Sequence, residues 1–147
     1  MKTKNIFIAI TLLATSLFAF SSCDKEEIIS NDKLPAEISS YISTHFPEAK
    51  ILQSTIELDD FTKTYEVMLE GNFKLKFNRK KEIIDIEGVT KLPDSVIPAK
   101  IKQYVSDNYP NNYIVGWELD GKNQQVELNN DLDLEFTMSG DFIRIDS

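Results

Sequence analysis

The sequence predicts an α+β domain of two tandem units. Each unit is a helix followed by a four-stranded antiparallel meander; the two share one sheet, with both helices on one face. Three observations carry this. Residues 34–51 align without a gap on residues 97–114, seven of 18 positions being identical at a constant offset of 63, and such self-similarity marks a duplicated unit. Beyond each aligned segment, apolar residues recur at every second position, the signature of strands with one buried face. Breaks rich in Asn, Gly, Lys and Asp separate these runs, as turns between strands require.

The chain opens with Lys2 and Lys4, followed by an uncharged, mostly apolar run from Ile6 to Phe20. That run is shorter than the ~20 residues needed to span a bilayer as a helix, and it fits a secretory signal over residues 1–22. Phe20-Ser21-Ser22-Cys23 resembles the lipobox of bacterial lipoproteins, with phenylalanine and serine where leucine and glycine or alanine are usual. The resemblance implies that Cys23 becomes the acylated N-terminus and that its lipid is the membrane partner, several acyl chains anchoring stably. Asp24-Lys25-Glu26-Glu27 resembles the export tag of surface lipoproteins in some Gram-negative anaerobes. It implies an outer-membrane anchor with the domain exposed outside, a periplasm-facing orientation being the alternative. Residues 23–32 are polar and lack periodicity, which predicts a short flexible leash.

Unit one (33–90) and unit two (91–147) each begin with a proline suited to a helix start, Pro35 and Pro98. Ile38, Tyr41, Ile42 and Phe46 recur at helical spacing, as do Ile101, Tyr104, Val105 and Tyr109. Pro47 and Pro110 end the helices. About twelve residues is too short for a helix to stand alone, so each must pack on the sheet. In unit one the inward residues are Leu52, Ile56 and Leu58; Tyr65, Val67 and Leu69; Phe73, Leu75 and Phe77; then Ile84 and Ile86. Their copies are Val115, Trp117 and Leu119; Val126 and Leu128; Leu132, Leu134 and Phe136; then Ile143 and Ile145. Past the first strand the offset falls to 59, the four missing residues lying around Asp59 to Lys63, where a turn can shorten without touching the core.

The paired pattern Leu-Pro, Tyr-Ile, Phe-Pro, Ile and its copy resembles the PepSY-like family, also described as having a beta-lactamase-inhibitor-like fold. The resemblance covers residues 33–147. It implies the helix-plus-meander fold, and it implies a binding module: PepSY domains are named for suspected restraint of peptidases, and the inhibitor fold grips its enzyme across a sheet face. No family contact residue maps onto this sequence, and function resides in sites rather than folds.

The 147 residues carry 16 basic and 24 acidic side chains, a net charge of −8, which becomes −10 once Lys2 and Lys4 leave with the signal. Such a balance argues against a nucleic-acid partner. One cysteine excludes a disulfide framework, and one histidine disfavours histidine-based catalysis. There is no phosphate loop, nucleophile elbow or HExxH, and the reading is a protein that is not an enzyme and needs no cofactor.

Alternation places the remaining strand residues on an open, acidic face that suits a basic protein or peptide. Its candidate binding residues are Glu66, Met68, Lys74, Lys76, Glu118, Glu127, Asp133, Glu135 and Arg144, with Ile51, Met68, Ile83, Ile114 and Phe142 as apolar specks. A face kept acidic for solubility has the same composition. An accessory subunit of an outer-membrane complex, bound through sheet edges or helices, is the alternative function. Lys74 and Lys76 stand where the copy has Asp133 and Glu135; adjacent strands would pair them, distant strands would make the face bipolar. Asp131, Asp133 and Glu135 form an acidic row, but alternate strand residues are ~6.6 Å apart, too far to ligate one ion unaided, and no metal is expected. His45 has Asn108 as its copy, so the repeat does not require imidazole. Trp117 and the paired Tyr41 and Tyr104 read as core. Asp94-Ser95-Val96 resembles a bacterial O-glycosylation sequon, which would make Ser95 a modification site.

Overall fold

The computed structural model describes residues 25–59 and 62–146; the signal segment and Cys23 lie outside them. The backbone forms one nine-stranded sheet in sequential order, every neighbouring pair antiparallel. Its strands are β1 (Lys25–Ile29), β2 (Ile51–Leu58), β3 (Lys63–Leu69), β4 (Phe73–Phe77), β5 (Ile83–Gly88), β6 (Ile114–Asp120), β7 (Asn123–Leu128), β8 (Asp133–Thr137) and β9 (Phe142–Asp146). Helix α1 (Ala36–His45) crosses from β1 to β2, and α2 (Ala99–Asn108) from β5 to β6. Pro35 and Pro98 sit at the N-caps, one position before the first helical residue.

Both helices press the same stripe onto the same sheet face. Ile38, Ile42, Ile101 and Val105 are buried in one cluster with Val67, Leu69, Leu75, Ile86, Val126, Leu128 and Leu134. The repeat extends to ring geometry: Tyr41 meets Phe77 edge-on at 5.5 Å and Tyr104 meets Phe136 edge-on at 5.3 Å, the arrangement favoured by the ring quadrupoles. Burial pushes the Tyr41 hydroxyl up to about 12. Trp117 fills the core as expected, its indole N–H donating to Gln124 Oε1 at 2.9 Å, while the Gln124 amide donates to the Thr137 carbonyl.

Two expectations are corrected. The first is the leash: Lys25–Ile29 is an edge strand, Ile29 lying opposite Ser54 and buried in the core, and a 3₁₀ turn (Asn31–Lys33) leads on to α1. The described sheet therefore has nine strands rather than eight, and β1 joins to unit one residues that precede its expected start at residue 33. Edge pairing is made by backbone groups, so five residues with one inward isoleucine suffice and no alternating pattern is needed.

The second concerns the face assignments. Bulges interrupt the register between Ile51 and Gln53, between Ile114 and Gly116, and in the β4–β5 and β8–β9 pairs. An extra residue in one strand reverses the face of everything beyond it. Ile51 and Ile114 thus lie opposite the core residues Leu69 and Leu128, while Ile83 and Phe142 lie opposite Phe77 and Phe136. Phe142 stacks on Tyr104 at 4.6 Å. Four of the five apolar specks expected on the open face belong to the helix face, and only Met68 stays. Leu52, expected inward, is the bulge residue and is 62% exposed. Leu58, Leu119, Ile143 and Ile145 are also partly exposed, at 37–49%, being on bulges, strand ends or the last strand.

Candidate functional site

Register across the sheet sorts the open face into two rows. One runs Met68, Lys74, Glu87, Gly116, Glu127, Asp133, Asp146; the other runs Glu66, Lys76, Asp85, Glu118, Gln125, Glu135, Arg144. All nine candidate binding residues lie in these rows. They do not form one site. Three strands separate β4 from β8, so Lys74 and Lys76 cannot pair with Asp133 and Glu135, and the face is bipolar.

The basic end is satisfied locally. Lys74 Nζ lies 2.7 Å from Glu87 Oε1, and Lys76 Nζ lies 3.8 Å from Glu57 and 3.9 Å from Glu66. At the other end Arg144 pairs with Glu135 and reaches Asp146 at 3.4 Å. Asn123 also donates to Glu135, at 2.6 Å. The Arg144 bond, followed by the Asn123 bond, holds the Glu135 carboxyl below its ordinary range.

The middle is different. Where unit one meets unit two, Asp85, Glu87, Glu118, Glu127 and Asp133 surround a depression of about 280 Å³ that is also lined by Gly116, Trp117 and Gln125. No basic side chain pairs with Glu118, Glu127 or Asp133 among the described residues. Burial, then the charge of Glu87, raises Asp85 to about 6. Burial raises Glu118, helped by Asp120 and Asp133. It raises Glu127 as well, helped by Asp133 and Asp131. Mutually repelling carboxylates form a site whose energy falls when a cation enters.

Gly116 opens this depression. A Cβ there would sit 3.1 Å from Glu127 Cβ and 3.2 Å from its Oε2, so the missing side chain lets Glu127 lie across the β6 backbone. The unit-one copy of Gly116 is Gln53. Sequence reasoning named Glu118, Glu127 and Asp133 but missed Gly116 as a functional position. The available signal was a glycine interrupting an apolar strand, which marks a close approach. Asp85 and Glu87 were assigned to the face but not to the site, because only the β5–β6 seam brings them beside Glu118 and Glu127.

Among the described residues no group of acidic or histidine side chains is placed to hold a metal ion. Asp131 leaves the predicted acidic row, being in the β7–β8 turn with φ of 60°. Ser95 is exposed in the segment before α2, its hydroxyl 2.9 Å from Nδ1 of His45 at the end of α1. Among the described residues no helix is long and apolar enough to cross a membrane.

The family described as beta-lactamase-inhibitor-like, PepSY-like, matches residues 21–85 and 86–144, one copy per unit, with β1 inside the first. No curated protein matches the chain. Seven solved chains are similar, three of them as follows. One, described as a periplasmic protein from Bacteroides vulgatus ATCC 8482, is 32% identical over 85% of this chain and 99% of its own, with a TM-score of 0.78. Another, described as a calcium-regulated periplasmic protein from Bacteroides thetaiotaomicron, is 30% identical over 83% and 97%, with a TM-score of 0.79. A third, described as a periplasmic protein of unknown function from Bacteroides vulgatus ATCC 8482, is 29% identical over 84% and 100%, with a TM-score of 0.78.

Proposed function

Because this chain belongs to the beta-lactamase-inhibitor-like, PepSY-like family, we propose that it is a non-catalytic binding module of the cell envelope that docks a basic protein or peptide segment on its open sheet face. The observation that carries this reading is the seam depression, where five carboxylates converge and no basic side chain of the described chain reaches three of them. A lysine or arginine seated there would lower the like-charge repulsion that already raises Asp85, Glu118 and Glu127. The flanking Lys74 and Arg144, each already paired, set the register of a partner by repelling its cations.

The envelope location is supported by the periplasmic descriptions of the similar structures. The lipid anchor on Cys23 and the outer-membrane, surface-exposed placement rest on the resemblance of residues 20–27 to lipoprotein signals. Mass spectrometry of the mature N-terminus tests the anchor directly.

The docking test is calorimetric titration of the chain with a lysine-rich decapeptide, at low salt and at 0.5 M salt. Binding should be lost at least tenfold when Glu118→Gln and Glu127→Gln are combined. It should weaken in Gly116→Gln, which fills the depression with the unit-one side chain and changes no charge. Unchanged binding in both variants would sink the proposal and favour the accessory-subunit reading, in which contacts lie at edges or helices. The Bacteroides thetaiotaomicron structure is described as calcium-regulated, but among the described residues the seam carboxylates are not grouped to hold a metal ion, so Ca²⁺ titrated against the same variants should show no binding that depends on Glu118 or Glu127.

A further inference from the structure

The duplication shows what a β9-type edge receives. In unit one, β5 joins unit two through three residues only: Asp85, Ile86 and Glu87 lie opposite Glu118, Trp117 and Gly116. Their copies at the offset of 59 are Arg144, Ile145 and Asp146 on β9. Both strands carry the same bulge just before these triplets, at Ile84 and Ile143. β9 therefore repeats the strand that forms the seam, but it is last in the described sheet and no described residue pairs with its outer side. The residues shielded in β5 are uncovered here: Ile86 is fully buried, whereas Ile145 is 49% exposed.

The charges on the triplet indicate the occupant. In an antiparallel pairing of β9 with another β9, centred on Ile145, each isoleucine faces its twin. Each Arg144 then faces the Asp146 of the other copy, twice over. Opposite charges directly across a strand pair stabilise it, and like charges oppose it. The same self-pairing of β5 would set Asp85 against Glu87 and repel. The change from Asp85 to Arg144 is the change that turns a seam strand into a self-complementary one. The opposite edge lacks this match: no self-pairing register of β1, Lys25-Glu26-Glu27-Ile28-Ile29, sets an isoleucine against its twin with opposite charges on both sides.

We infer that β9 is a homodimerisation edge, pairing antiparallel with β9 of a second copy about a two-fold axis through Ile145 and joining two sheets into one. The closed two-fold arrangement uses the same strand from both copies, so it does not propagate into a filament. It goes beyond the docking proposal and shares only the flanking Arg144 with it, since neither Ile145 nor Asp146 lines the seam depression.

Sedimentation velocity of the whole chain over a concentration series tests it. A monomer–dimer equilibrium is expected, weakened at least tenfold by Ile145→Lys, which sets two lysines face to face, and unchanged by Ile28→Lys on the opposite edge. Because Ile145→Lys could also loosen the β8–β9 pair, a second variant reads the register. With Cys23→Ser to remove the only native thiol, Ile145→Cys should oxidise to a disulfide dimer and Ile28→Cys should not, since paired strand positions bring Cα atoms within disulfide range. A chain that stays monomeric at every concentration, a dimer broken by Ile28→Lys instead, or equal cross-linking at both edges would each overturn the inference.

Discussion

Asp85 shows how one residue senses the whole seam. In the strand it alternates like any solvent-facing acid, and of its sequence neighbours only Glu87, two residues along, bears on its titration. The perturbation comes first from partial burial, then from the charge of Glu87, with a smaller part from Glu118, which β6 lays directly opposite; together they raise it from 3.8 to about 6. The folded chain thus holds this proton more tightly than the unfolded chain does. Its stabilising contribution is full below pH 3.8 and is lost as pH rises through about 6. Glu118 and Glu127, also raised, act in the same direction. Glu135 is lowered and acts in the opposite sense, its contribution being lost as pH falls. Asp85→Asn should therefore raise stability at pH 7 by on the order of 1 kcal/mol, allowing for solvent screening of a part-exposed group. It should change little at pH 4. Urea midpoints at the two pH values check both halves. At Gly88 a Cβ would approach the Phe73 ring to 2.8 Å, so Gly88→Ala should cost about 1–3 kcal/mol of overpacking, read from the same denaturation curves.

At the scale of the element, helices and strand count per meander were legible because they rest on periodicity and proline placement, both local properties. The faces were legible only up to each bulge. A bulge is written in neither composition nor alternation: Ile51-Leu52-Gln53 reads equally well with either residue inward, and the choice falls to whichever side chain can reach Leu69. The distinction has a direct measurement. Ile114→Ala should cost about 2–4 kcal/mol as a core truncation, while Leu52→Ala should stay within about 0.5 kcal/mol as a surface change; strict alternation predicts the reverse. β1 was illegible for another reason. Its stability comes from backbone pairing with β2 and from one buried isoleucine, so its sequence resembles a polar leader. Deleting residues 25–29 would expose the β2 edge and uncover the core beside Ser54. A lower urea midpoint is expected, and an unchanged one would mean that β1 adds nothing to the fold.

For the whole molecule, the tandem repeat predicted one shared sheet, and the seam and both helices now define one contiguous core across the two units. The acidic site was less legible because it belongs to neither copy: it forms where the last strand of one meets the first strand of the next. A single core implies a single transition. Trp117, the only tryptophan, lies in unit two, so its fluorescence reports that unit while far-UV circular dichroism reports both. The two unfolding curves should coincide, and a separate earlier phase in either signal would show that the units unfold independently. The ordered β1 also bears on mechanics at the membrane. With an acyl anchor on Cys23, only two residues, at most ~7 Å of chain, would lie between the lipid and a strand built into the sheet. Such a protein stands on a stiff foot instead of swinging on a line. Eight inter-strand steps of ~4.8 Å would then hold the far edge up to roughly 40 Å from the foot, so what it can touch is set by height and heading, not by a search through volume.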